Sequence, residues 1–158
     1  MATTPEEIRL MEHMHTKMSY NRISEQIYAG NNLCCQTHFE EELLSKGITA
    51  DISLEEERLD NPHGVDYFFW FPWKEDTAPK RELIDLAMKV LDDVVEQKVK
   101  VYIHCKNGHG RTTTFLASYF IYKKKVSADE ALDMVFEKRP SGHLNDKQKE
   151  FLLEYAGH

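Results

Sequence analysis

The sequence predicts an α/β fold: a small layered domain with a central mixed, mostly parallel sheet flanked by helices. Three observations predict it. Strand-like and helix-like stretches alternate along the chain. The run KVKVYIHC sets Val99, Val101 and Ile103 against Lys100 and Tyr102, and a largely apolar helix through Tyr122 follows it. The length, 158 residues, suits one domain with its own core.

Each element has a local reason. Residues 1–19 read as an arm or short helix, and 20–158 as the folded domain. Ile27–Gly30 (IYAG) is a short strand. Thr37-His38-Phe39-Glu40 has the spacing of a capping box, with Leu43 and Leu44 on the apolar side of the helix and Gly47 at its end. Ile48 to Leu54 is the next strand. Asn61, Pro62 and Gly64 mark a turn before the apolar strand Tyr67 to Phe71, and Tyr67 to Trp73 is expected to serve mainly as core and as support for the loop that follows. Pro79 suits a first helical turn, and Leu83, Leu86, Ala87, Val90, Leu91 and Val94 follow at helical spacing. Ser127 and Glu130 form another capping box, Arg139-Pro140 stops that helix, and Asn145 opens the last one, anchored by Phe151, Leu152 and Tyr155.

Composition narrows the function. Asp plus Glu total 27 against 20 Lys plus Arg, a net charge of −7, so nucleic acid is a poor default partner. No run of about 20 apolar residues is present, which predicts no stable membrane insertion. Three cysteines, two of them adjacent at Cys34 and Cys35, are not a secreted disulfide framework, and an intracellular, cytoplasmic setting is expected.

The chemistry is concentrated in His104-Cys105-Lys106-Asn107-Gly108-His109-Gly110-Arg111-Thr112, between the strongest strand and the strongest helix. Amides at a helix N-terminus converge on anions, and Gly108 and Gly110 let the backbone turn and approach one closely. Cys105 and Arg111 bracket five residues, so both side chains can reach one ligand. A thiolate is favoured by a helix N-terminus and neighbouring positive charge. Arginine supplies a planar fork for two phosphate oxygens, and Thr112 can donate to the sulfur. These groups meet the charge of a transferring phosphoryl group with no cofactor and no metal. Attack would give a cysteinyl-phosphate, whose leaving group needs a proton. Glu75 and Asp76 are the candidate acids, in the loop after an apolar strand, where open α/β sheets place active sites. Asp51 and Glu55 to Glu57 read as surface or cap acids, one of which could orient the loop. His104 reads as a partly buried histidine bonded to backbone.

On these residues the chain resembles the cysteine-dependent protein-tyrosine phosphatase superfamily, in its compact dual-specificity branch. HCKNGHGRT matches His-Cys, five residues, Arg, then Ser or Thr. YNRISEQIYAGN, GITADISLEEE, EDTAP and RPSGHLNDKQKEFLLEY are similar to other family segments, so the likeness covers most of residues 20 to 156. It implies a small protein-tyrosine-phosphatase-like domain that works as a monomer. It implies Cys105 as nucleophile, Arg111 as phosphate ligand, Asp76 as general acid and then base, Thr112 in thiolate and phosphoenzyme turnover, and His104 as a tuning group beneath the loop. Lys106, Asn107, Gly108, His109, Gly110 and Arg111 complete the phosphate-binding loop. Thr113 stands where glycine or another small residue is usual, and Asn107 where alanine is frequent.

Two substrate classes stay open. Phosphorylated protein or peptide is the first. Lys106, His109 and YNRI support a phosphoinositide, phosphatidylglycerophosphate or other small phosphate ester as the second. A phosphate-reading module without turnover is the third reading, and a disulfide from Cys34 or Cys35 to Cys105 is also left open.

Overall fold

The computed structural model describes residues 4–5, 18–32 and 36–157. Most of the predicted arm, and Cys34 and Cys35, lie outside the described residues. The order is β1 (Tyr20–Arg22), β2 (Ile27–Gly30), α1 (Gln36–Glu42), a 3-10 turn (Leu44–Lys46), β3 (Ile48–Glu55), β4 (Tyr67–Trp73), α2 (Arg81–Glu96), β5 (Lys100–His104), α3 (Gly110–Lys124), α4 (Ala128–Lys138) and α5 (Asp146–Ala156).

The strands form one sheet in the order β1-β2-β5-β3-β4. β1 is antiparallel to β2, and every other pairing is parallel. The mixed, mostly parallel sheet is therefore as expected. β1 is a strand that local pattern does not announce, since its three residues, YNR, are polar but for the tyrosine. β5 sits centrally, flanked by β2 and β3, and its alternation sorts its side chains. Val101 and Ile103 enter a large core with Ile84, Met88 and Leu91 of α2, Phe115 of α3, Val135 of α4 and Leu152 of α5. Tyr102 faces a smaller core with Phe39, Leu43 and Ile48. Four helices thus cover one face of the sheet and α1 the other.

α3 is buried from Arg111 to Ile121, as its apolar surface predicts. β4 corrects the reading of a core strand. It lies at the edge of the sheet, Tyr67 and Trp70 are exposed, and Trp73 alone of its seven residues is fully buried. Its apolar letters reflect strand propensity at an edge rather than burial on both faces. Pro79 precedes α2, whose N-cap is Lys80, so it does not occupy the first turn. Gly47 closes the 3-10 turn with φ 80°, its N–H donating to Leu44 O. Lys123 reaches Asp92 and Glu96 of α2, so it ties two helices together as well as sitting at a helix end. Among the described residues no helix is long and apolar enough to cross a membrane.

Candidate active site

Three parallel strands deliver the site at their carboxyl ends. β5 ends at His104 and runs into the loop Cys105 to Arg111, and α3 begins at Gly110. Cys105 is buried, and Thr112 Oγ1 donates to its Sγ at 3.0 Å. Gly108 adopts φ 73°, and a Cβ there would lie 2.4 Å from Gly30 C, so this position requires glycine. The loop is also pinned to the end of β2, where Asn32 N donates to Lys106 O at 3.2 Å.

Arg111 is buried and held by the ends of two other strands. Its Nη1 donates to Glu57 Oε1 at 2.5 Å and its Nη2 to Glu57 Oε2 at 3.0 Å. Nη1 also donates to Trp73 O at 2.8 Å. Glu57 follows β3 and Trp73 ends β4. The hydrogen bond from Arg111 holds the Glu57 carboxyl below its ordinary range. Burial opposes the Arg111 charge, but Glu57 more than offsets this and keeps the guanidinium protonated. A guanidinium has five N–H donors, and these contacts engage both Nη atoms at the Glu57 end. They leave the Nε–Nη2 edge, two parallel donors, for an oxyanion.

Glu75 and Asp76 share a cavity of about 140 Å³ with Cys105, Asn107, His109, Arg111 and His143. Larger hollows, of about 520 and 470 Å³, contain neither Cys105 nor Arg111. Asp76 has φ 62°, a left-handed conformation that Asp tolerates better than most residues. It lies five residues before α2, so it is not the N-cap of that helix. The acid loop is tied down by α5. Asn145 Nδ2 donates to Asp76 O at 2.8 Å, and Gln148 Nε2 to Thr77 O at 3.2 Å. Trp73 Nε1 also donates to Thr77 O, at 2.7 Å. Glu75 accepts from Asn107 Nδ2 at 3.4 Å across the cavity mouth.

His104 points away from the cavity, into the thin side of the sheet. Its Nε2 meets Asp51 Oδ1 at 2.6 Å, and both side chains are fully buried. Its ring stacks on Tyr102, with centroids 5.3 Å apart. A backbone partner for His104 was expected, and the carboxylate corrects this. Burial opposes the imidazolium, but Asp51, with Asp60 and Glu55 behind it, more than offsets burial and raises the His104 pKa. Asp51 is thus not a surface acid, and neither Glu55 nor Glu57 is an ordinary one. Register is the reason, because β3 lays Asp51 beside Tyr102 and Ser53 beside His104. Glu55, Asp60 and His104 each offer a donor atom within 4.8 Å of the others, the spacing of a metal-binding group. Those side chains are already engaged with Asn32, Arg58 and Asp51 respectively.

The matched family model, dual specificity phosphatase, catalytic domain, covers residues 27–158. The chain belongs to that family. The dual-specificity catalytic domain sits in the wider cysteine-dependent protein-tyrosine phosphatase superfamily. The chain is 34% identical over 91 residues to protein tyrosine phosphatase domain-containing protein 1 of Danio rerio, covering 57% of this chain and 12% of that one. It is 31% identical over 78 residues to phosphatidylglycerophosphate phosphatase PTPMT1 of Arabidopsis thaliana, covering 49% and 23%. The chain thus spans a small part of these curated relatives. The crystal structure of Tk-PTP in the active form superposes with a TM-score of 0.75 at 25% identity, covering 89% of this chain and 97% of that one. This likeness, together with the family match, fits the small α/β architecture found here.

Other residues of the site are not obvious from the sequence. Glu57 stands in the sequence only among the acids that could orient the loop and Asn145 only as a helix start, and no local signal gives their long-range partners or those of Gln148.

Proposed function

We propose that this dual-specificity domain is a phosphomonoesterase that works through a cysteinyl-phosphate and needs no metal. The observation that carries the reading is the convergence of Cys105, the Arg111 fork and Asp76 on one small cavity. The phosphate sits against the loop amides and the Nε–Nη2 edge of Arg111. Cys105 sulfur attacks phosphorus, and the bond to the leaving oxygen breaks as Asp76 gives that oxygen its proton. In the second step water attacks the phosphorus of the cysteinyl-phosphate. Asp76, now a carboxylate, takes a proton from the water, and the thiolate and inorganic phosphate are released. The Thr112 hydroxyl supports the sulfur in both steps. Hydrolysis of an aryl phosphate in excess chelator, abolished in Cys105→Ser, tests this. Full activity in that variant overturns the covalent route.

Phosphorylated protein or peptide is the substrate class we favour, acted on by an intracellular, cytoplasmic monomer. The acidic composition and cysteine usage support that setting. A second reading, a lipid or small phosphate ester, is favoured by the residues on the cavity rim. Lys106 is exposed, His109 and His143 hold their rings 4.5 Å apart beside the cavity, and a relative is named for phosphatidylglycerophosphate. Rates on phosphotyrosine peptides and on a phosphoinositide and phosphatidylglycerophosphate panel, measured side by side, separate the two. A lipid rate more than tenfold above the peptide rate overturns the first. Phosphopeptide binding with no burst of product in stopped flow would instead indicate a reading module.

A further inference from the structure

Two buried arginines touch the phosphate-binding loop, and one of them has no carboxylate. Arg111 is forked onto Glu57. Arg139, at the C-terminal cap of α4, is fully buried. Its Nε donates to Gly108 O at 2.9 Å and its Nη1 to Asn21 Oδ1 at 2.8 Å. Its Nη2 is buried with no hydrogen-bond partner, and no ion pair with Arg139 forms among the described residues. A buried cation without a counter-charge is strongly destabilising. The loop is nevertheless shaped to admit it, since a Cβ on Gly108 would stand 2.6 Å from Nη2.

The loop that Arg139 holds through Gly108 is the one that carries Cys105, three residues earlier in the chain. The groups that favour a charged Arg139 are Tyr102 and Cys105. Burial holds the Tyr102 phenol well above its ordinary pKa, so it stays neutral.

We propose that Arg139 is the buried counter-cation of the Cys105 thiolate, fixed beneath the loop by Gly108 and Asn21. Arg139 is a positioning residue, because it acts through Cys105 and the loop rather than on substrate. The inference rests on the reading of Cys105 as nucleophile and extends it beyond the Cys-x₅-Arg segment. It also explains why a buried guanidinium is tolerated there. Arg111 is already partly neutralised by Glu57, so the sulfur draws on a second, unpaired charge.

The test is the pH profile of Cys105 alkylation by iodoacetamide, on the full chain with Cys34 and Cys35 replaced by serine so that one thiol reports. Other charged groups around the sulfur stay constant across the series. They are Lys106 beside the sulfur, Arg111 from α3, Glu57 after β3, Glu75 and Asp76 of the acid loop, Tyr102 and His104 of β5, and His109 with His143. Arg139→Gln should raise the alkylation midpoint by about one pH unit, the scale of losing a nearby opposite charge. Arg139→Lys keeps the charge and should stay near wild type. Asn21→Ala removes one hydrogen bond but no charge and should not move the midpoint. An unmoved midpoint in folded Arg139→Gln overturns the proposal, as does an equal rise in Arg139→Lys. Should Arg139→Gln fail to fold, the ¹⁵N signal of Arg139 Nε in the Cys34/Cys35-substituted protein decides, assigned by its loss in Arg139→Lys. It must titrate with the alkylation midpoint, and a flat signal overturns the proposal. Failure of the phosphatase reading would show separately, as hydrolysis surviving in Cys105→Ser.

Discussion

The Glu57 side chain is exposed, yet it meets both terminal nitrogens of a buried Arg111 and so fixes the plane of the guanidinium. In the proposed mechanism, positioning of this kind sets whether the Nε–Nη2 edge can face the phosphate. Glu57→Gln should lower kcat/KM on an aryl phosphate roughly 10- to 100-fold, the range that misplacing a reacting group costs, with Cys105 still alkylated. An unchanged kcat/KM would show that the fork holds its plane without Glu57. The hydrogen bond from Arg111 depresses the Glu57 carboxyl below its ordinary value of about 4.5, so its support of the fold is present above that pH and is lost as pH falls through the folded value. Asp76 calls for a different substitution. Its φ of 62° makes Asn the fair replacement, since Asn also accepts left-handed backbone and only the proton is lost. Asp76→Asn should cost roughly 10² to 10⁴ in rate on a phosphotyrosine or alkyl phosphate, and much less on an aryl phosphate whose leaving group departs as an anion. If Glu75→Gln shows that leaving-group dependence and Asp76→Asn does not, Glu75 is the acid.

The N-terminus of α5 does two jobs. Asn145 and Gln148 form a complete capping box, each side chain accepting from the other's backbone N–H. The same two amides donate to the carbonyls of Asp76 and Thr77 in the acid loop. Helix start and acid position are therefore one unit. Ser127 supplies a control. It accepts from Glu130 N at the start of α4, and no hydrogen bond links it to the acid loop. Both Asn145→Ala and Ser127→Ala should lower stability by about 1 kcal/mol, the usual cost of an N-cap. Only Asn145→Ala should also reduce kcat, and more for poor leaving groups. Equal kcat in the two variants, read beside their thermal midpoints, would separate the cap from the acid loop.

Across the whole molecule, the sheet has a thick face covered by four helices and a thin face covered by α1, and the buried His104–Asp51 pair lies on the thin one. The His104 pKa is raised above 6.5 in the fold, so the pair stabilises fully below pH 6.5, and this part is lost as pH rises through the folded value. Asp51→Asn should therefore lower the thermal midpoint most in acid, and the gap to wild type should narrow as pH rises. A gap that widens with pH would mean that His104 is neutral throughout. Much of the architecture was legible in the chain, because strands and helices announce themselves through periods of two and 3.6 residues. The loop from Cys105 to Arg111 was legible because Gly108, Gly110 and the strand and helix flanking them sit within ten positions. β4 as an edge strand was not, since aromatic letters specify strand but not which neighbours it has. Asp51 with His104, Glu57 with Arg111 and Arg139 with Gly108 join residues 53, 54 and 31 positions apart. The sequence by itself determined the alternation of elements, the candidate nucleophile, the candidate anion loop around it and the two candidate acids, all of them local patterns. The tertiary structure alone decided which carboxylates hold Arg111 and His104, and which buried arginine underlies the loop. Those pairings follow from sheet register and helix packing, which bring together residues that no local spacing relates.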